Sequence, residues 1–244
     1  MKNFKIKKFF IIISRFNIFI LSYLLYLFQL ILIFFNFKNS AKKLFNAAAY
    51  FCSISLGINY QIEQDFRKFF LKKGIHISNH DNPLDIFVAQ TLFKIKTITT
   101  VDRHLKNFLP FFEVSLKNYG HYCFDYLNFY ERKSAYLFLD RVCKNEKNVL
   151  LYPSGSIYTP ITKRLSKSVS KLSMIHNIDV IAWKVLFDDK SNIAYDRNIG
   201  RYILKRIYAD NLVLRIAKVK VFNPNDYKSL EDLHSQLCLF YSAC

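Results

Sequence analysis

Ser78-Asn79-His80-Asp81-Asn82-Pro83-Leu84-Asp85 sets a histidine and a carboxylate five positions apart, across residues that open a helix. Asn82 suits the N-cap, Pro83 the first helical position and Asp85 the third. An aspartate at that third position points back towards the loop that carries His80. Its carboxylate can accept the proton of one imidazole nitrogen. That fixes the tautomer and leaves the other nitrogen free to take a proton from a hydroxyl. The unpaired N–H groups of the helix start lie near the place where negative charge would develop. These are the parts of a general-base acyl transfer with a hydroxyl as nucleophile, an effect worth ~10²–10⁴-fold. The same residues also have a plainer reading, in which Asp85 caps a helix and His80 is a loop histidine.

Other reactive side chains are less pointed. The run Pro153-Ser154-Gly155-Ser156-Ile157 is not the G-x-S-x-G elbow of a serine hydrolase. Ser154, Gly155 and Ser156 either offer hydroxyl and N–H donors to an acceptor or simply make a turn. Lys163 and Arg164 follow it, as cations for an anionic group or as a solvated loop. His76 precedes His80 by four, but on a strand and loop that spacing does not present both on one helix face, so no metal pair is expected. His104, His121, His176 and His234 stand apart. Cys52, Cys123, Cys143, Cys238 and Cys244 are odd in number and lack a C-x-x-C. Neither a disulfide framework nor a zinc site is suggested, and a reducing compartment fits. The aromatic run Tyr119–Tyr130 lines an acyl groove or packs a core.

The elements that must hold these residues alternate between strand and helix. Gly74–Ser78 reads as a short strand before the His80 loop, and Lys94–Val101 as another. Glu131–Lys144 has helical spacing, with Tyr136, Leu139, Val142 and Cys143 on one face. Asn148–Tyr152 is a continuous apolar strand, Leu165–His176 a helix, and Asp179–Phe187 a buried strand. Leu212–Phe222 alternates like a half-exposed strand, and Ser229–Phe240 closes the chain as a helix. The expectation is an α/β fold with a central mixed, mostly buried sheet flanked by helices.

Ahead of that lies an apolar segment. Phe16 to Phe37 carries no charge, and about 20 such residues suffice to cross hydrocarbon. A cleaved signal peptide, which Ala47-Ala48-Ala49 would suit, normally has a shorter apolar core. A spanning helix is the second reading. The third is a membrane helix that turns back, with Leu44–Gly57 as the other arm of a helical pair in one leaflet. Lys2, Lys5, Lys7 and Lys8 favour a cytoplasmic start. The formal net charge of +18 suits an anionic partner, whether phospholipid, nucleic acid or an acidic carrier. Part of it also follows from a composition rich in Lys, Asn, Ile, Phe and Tyr. No nucleic-acid motif accompanies the charge, so nucleic acid is not expected.

Asn79-His80-x-x-x-x-Asp85 resembles the N-H-x4-D block of the lysophosphatidate acyltransferase family of glycerolipid acyltransferases. Further matches follow in that family's order. Phe108-Leu109-Pro110-Phe111-Phe112 is similar to its P-F-F/W-G segment, and Gly120 through Asp125 to its G-x-x-x-I-D-R block. Leu150 through Ser156 resembles I-F-P-E-G-T-R, Leu165 through Met174 the F-K-x-G-x-x-x-L-A helix, and Val180–Val185 the strand I-V-P-V. The resemblance covers roughly residues 71 to 190. It implies the glycerolipid acyltransferase fold behind a membrane anchor (1–57), with the catalytic domain over 58–244. His80 would be the base and Asp85 its orienter. Asn79, Ser154, Gly155, Ser156 and Tyr126 would contact substrate. The donor would be a long-chain thioester of acyl carrier protein or coenzyme A, with no metal or redox cofactor.

The departures fall on the acceptor side. Where the family has Glu, Thr and Arg, this chain has Ser154, Ser156 and Ile157, and the second block's Arg is Tyr126. Either Lys163, Arg164 or Arg132 replaces the lost cations, or the acceptor is not a phosphate monoester. A catalytically weak membrane protein that keeps the fold as a lipid-binding or interaction module is the alternative these departures leave open.

Overall fold

The computed structural model describes residues 2–79, 82, 84–85, 91, 97–103, 109, 111–153, 165–189 and 199–242. In chain order the elements begin with α1 (Lys2–Phe34), α2 (Lys38–Ser55), β1 (Ile58–Gln61), α3 (Gln64–Arg67) and β2 (Ile75–Ser78). They continue with β3 (Thr97–Ile98), β4 (Thr100–Asp102), α4 (Phe112–Tyr119), β5 (Tyr122–Phe124), α5 (Phe129–Lys144) and β6 (Asn148–Leu151). The last are α6 (Ser168–His176), β7 (Val180–Asp189), α7 (Ile199–Tyr208), β8 (Leu212–Phe222) and α8 (Leu230–Ser242). Six strands form one sheet in the order β1-β8-β7-β2-β6-β3, and β4 pairs with β5 in a second. Two compact units share these elements: Met1–Gln61, Ile86–Lys94 and Phe187–Arg215, and then Ile62–Asp85, Ile95–Leu186 and Ile216–Cys244.

The first unit is built on a helical hairpin. α1 has neither proline nor glycine and a long Ile/Leu/Phe run, so nothing interrupts it. Asn36, at φ 64°, takes the left-handed conformation that ends a helix, and α2 then packs back along α1. Ala41, Ala48 and Ala49 are buried there, and small side chains let two helices approach closely. Ser22 donates to Ala48 O at 2.7 Å, and the Tyr26 and Phe45 rings lie 6.3 Å apart. The two helices pack as a hairpin, as a turning-back arrangement requires, with a second arm that starts at Lys38 and so earlier than Leu44. Ile6–Phe34 is long and apolar enough to cross a membrane. Gly57, at φ +71°, ends α2 and delivers the chain to β1, which pairs in parallel with the start of β8 from Ile58↔Leu212 to Gln61↔Arg215.

The second unit is organised around β2. It lies between β6 and β7 and runs parallel to both, with Ile75 opposite Val149 on one side and Val180 on the other. All four residues of β2 are buried, as in a strand covered on both faces. α5 contributes Leu139, Val142 and Cys143 to the covering core, α6 contributes Val169 and Leu172, and α8 contributes Leu233, Leu237 and Phe240. The expected strand Lys94–Val101 is instead divided. β3 joins β6 in the main sheet, and β4 leaves it for β5. At the break, Thr99 N–H donates to His121 Nδ1 at 3.1 Å instead of continuing a ladder.

Candidate active site

In a parallel sheet the strands' carboxyl ends share an edge, and ligands of α/β proteins bind beyond such edges. In the sequence His80 comes two residues after the end of β2, and Ser154 three residues after the end of β6. His80, Ser154, Gly155, Ser156, Ile157, Lys163 and Arg164 lie outside the described residues, whereas Asn79, Asp85 and Tyr126 lie within them.

Asn79 is 4% exposed. Its Nδ2–H donates to Val185 O at 2.7 Å and its Oδ1 accepts from Val185 N–H at 2.8 Å. The β2–β7 ladder ends at Ser78↔Trp183. The Asn79 carboxamide extends it by one step, and so fixes the residue that precedes His80 in the sequence. Tyr241 Oη, from α8, lies 3.0 Å from Ile77 O and 3.2 Å from Trp183 O, beneath the same strand ends.

Asp85 is 3% exposed. Its Oδ2 accepts from Asn82 N–H at 3.2 Å, while Asn82 Oδ1 accepts from Leu84 N–H at 3.0 Å. This is a reciprocal capping box with asparagine and aspartate in the two roles. Leu84 is a turn residue and Asp85 is helical, and the two bonds hold the carboxylate beside Asn82. Tyr152, just past β6, donates its hydroxyl to Asp85 O at 3.1 Å. Burial first, and the Asp85 carboxylate second, push its phenol well above the ordinary range, so it stays a donor. Sequence reasoning missed Tyr152 as a site residue. The signal was there, since an aromatic hydroxyl closes the strand next to the one that launches His80.

His76 is a structural residue. Trp183 Nε1–H donates to its Nδ1 at 3.1 Å, which leaves the ring proton on Nε2 to meet Lys72 O at 2.9 Å. Burial pulls its pKa down to about 4, against a smaller upward pull from Lys72 O. Trp183 in turn stacks on Phe70 with centroids 4.6 Å apart. Among the described residues no group of His, Cys, Asp or Glu could hold a metal ion.

Tyr126 is half-buried in the turn after β5. That turn is held by Asp125, whose Oδ1 accepts from Leu127 N–H at 2.8 Å and whose N–H donates to Glu131 Oε2 at 2.7 Å. Glu131 also pairs with Arg103 at 3.0 Å. Arg103, a cation that sequence reasoning passed over, is thereby held at the same Glu131 that anchors this turn. Arg132 instead lies over the Phe129 ring at 5.9 Å. The aromatic run Tyr119–Tyr130 divides: Tyr119 and Cys123 are core, whereas Leu127, Phe129 and Tyr130 are exposed.

Parallel strands β2, β6 and β7, with a buried carboxylate seven residues after β2, define an α/β scaffold. Within it, the family model "Acyltransferase" matches residues 57–182, more than half of the chain, and the chain belongs to that family. The crystal structure of the 1-acyl-sn-glycerophosphate (LPA) acyltransferase, PlsC, from Thermotoga maritima has a similar fold. Its TM-score is 0.56 over 92% of this chain and 94% of that one, at 14% sequence identity. No curated protein matches the chain.

Proposed function

We propose that the protein is a membrane-bound O-acyltransferase that moves a fatty acyl group from a thioester to the hydroxyl of a lysophospholipid, in membrane phospholipid synthesis. The observation that carries this reading is the buried Asp85 carboxylate, held by Asn82 N–H five positions after His80 in the sequence, inside the family match. His80 takes the acceptor's hydroxyl proton as that oxygen attacks the thioester carbonyl. The C–S bond then breaks, and the imidazolium returns the proton to the departing thiolate. Asp85 orients the ring and stabilises its charged form. Asn79 acts by positioning, and Ser154, Gly155 and Ser156 contact acceptor or oxyanion.

The donor is acyl carrier protein or coenzyme A thioester, and a basic surface suits the acidic carrier. Residues 1–57 anchor the protein, with 58–244 on the cytoplasmic face. The apolar α1 supports this, and such attachment resists carbonate and high salt. With Tyr126 and Ile157 where the family has arginines, lysophosphatidate is not the best acceptor unless Lys163, Arg164 or Arg132 supplies the cation. The test is acyl transfer by the purified protein from each thioester to lysophosphatidate and to lysophospholipids with substituted head groups. Transfer to at least one is expected, and no transfer from either donor to any acceptor overturns the assignment. A lysophosphatidate preference of about tenfold or more, worth ~1.4 kcal/mol, overturns the altered-acceptor part alone.

A further inference from the structure

We infer that the foot of the α1–α2 hairpin is a second lipid site, which holds the phosphate of an anionic phospholipid on Arg15 without turning the lipid over. The inference rests on the membrane attachment proposed above. It uses none of the residues assigned to the chemistry.

Arg15 is the one charge in the apolar segment 9–37, yet only 7% of it is exposed. Its guanidinium donates to Ile207 O, Ala209 O and Asn211 Oδ1, all of them neutral acceptors. A guanidinium has five N–H groups, so two remain for a ligand. Arg206, fully buried, repels Arg15, while Asp210 attracts it. The Asp210 carboxylate also meets Lys8 at 3.5 Å. A buried cation held by neutral acceptors is stabilised where an anion meets it.

The space for that anion is present. An open groove of about 560 Å³ is lined by Phe10, Ile11 and Ile18 along α1, and by Ser14, Arg15 and Asn59 among its polar groups. An apolar wall beside a guanidinium fits an amphiphile, with the acyl chain along the helix and the phosphate on the cation. Gly57 keeps the guanidinium's place open, since a Cβ there would overlap Arg15 Nη2.

The full chain is placed in nanodiscs of equal phosphatidylcholine and phosphatidylglycerol, and the lipids it retains are counted by native mass spectrometry. One buried cation should favour phosphatidylglycerol by about fivefold, by the ~1 kcal/mol a cation contributes at an anionic surface. Arg15→Gln and the groove-filling Ser14→Trp should each abolish the preference without releasing the protein from the disc. Equal retention by the wild type, or a preference that survives in both variants, overturns the proposal. Should Arg15→Gln not fold, Ser14→Trp decides alone, because Arg15 keeps its partners. Displacement of the lipid by inorganic phosphate at equal concentration would make this a free-anion site and overturn the lipid assignment. A protein that stays out of the discs is offered soluble short-chain phosphatidylglycerol. Binding then keeps the site and overturns only the anchor, and no binding overturns the site. None of these readouts depends on acyl transfer.

Discussion

Asn79 and Arg15 perform the same mechanical task in the two units. Each is a buried polar side chain committed to main-chain groups of a segment far away in sequence. The Asn79 carboxamide meets one N–H with its oxygen and one C=O with its nitrogen, and it carries no charge. Arg15 meets only acceptors and keeps a full positive charge and two N–H groups. A neutral amide is enough to set where a loop begins. A guanidinium in the same kind of place leaves attraction to spare, and a groove beside it gives that attraction an object.

The contrast can be broken most sharply at the residue that Asn79 serves. His80→Ala should lower turnover by ~10²–10⁴-fold while thermal stability and membrane pelleting stay unchanged. Retention of more than about a tenth of wild-type turnover would remove the general-base role. Asp85→Asn should also cut turnover strongly, because an amide stabilises imidazolium poorly. Asp85→Ala should in addition lose the cap, at a cost of about 1 kcal/mol read by denaturant unfolding.

The next effect asks whether the polar interior of the second unit tolerates charge. His76 is held neutral, with its pKa lowered from 6.5 to about 4. Between those values the unfolded chain binds the proton and the folded chain does not. Stability is therefore whole above pH 6.5 and drains as pH falls towards 4, by about 3 kcal/mol in total. Unfolding measured at pH 7 and pH 4.5 should show most of that loss. His76→Gln should flatten it, and an equal acid loss in that variant would place the sensitivity elsewhere.

Asn79→Ala comes third. It strands the Val185 N–H and C=O in the interior, and should cost about 2 kcal/mol with a fall in kcat as the loop loses its fixed start. A change under about 0.5 kcal/mol would mean that water takes over both bonds. The smallest expected effect is Gly57→Ala. A left-handed backbone costs alanine about 1–2 kcal/mol, and the added methyl crowds Arg15. Its phosphatidylglycerol preference should fall while acyl transfer is kept. A variant with full stability and full preference would show that the foot adapts freely.

Much of the scaffold was legible in local pattern. β8 occupies the expected Leu212–Phe222, and β2, β6, β7, α5 and α8 lie within two residues of expectation at each end. Asn82 and Asp85 make the local bonds that their spacing allows, because such bonds join residues at most three apart and need no distant partner. β1, β5 and α4 were not anticipated. The two strands have only four and three residues, too few for a period to show, and they exist because β8 and β4 pair with them. The same reason explains Thr99, a strand residue by propensity that His121 takes out of the ladder.

By itself the sequence determined the alternation of strand and helix, the uninterrupted apolar helix, and the ordered motif blocks that place the chain among acyltransferases. Those features are written in neighbours, and short-range sterics and periodicity enforce them. The tertiary structure alone decided that Asn79 is a clamp and that Tyr152 holds the Asp85 carbonyl. It alone decided that the one arginine of an apolar helix is buried against the segment around Ala209. Each of those contacts joins residues between 67 and 194 positions apart. Which distant groups meet depends on how the whole chain packs its apolar surface, and no local pattern of residues encodes that choice.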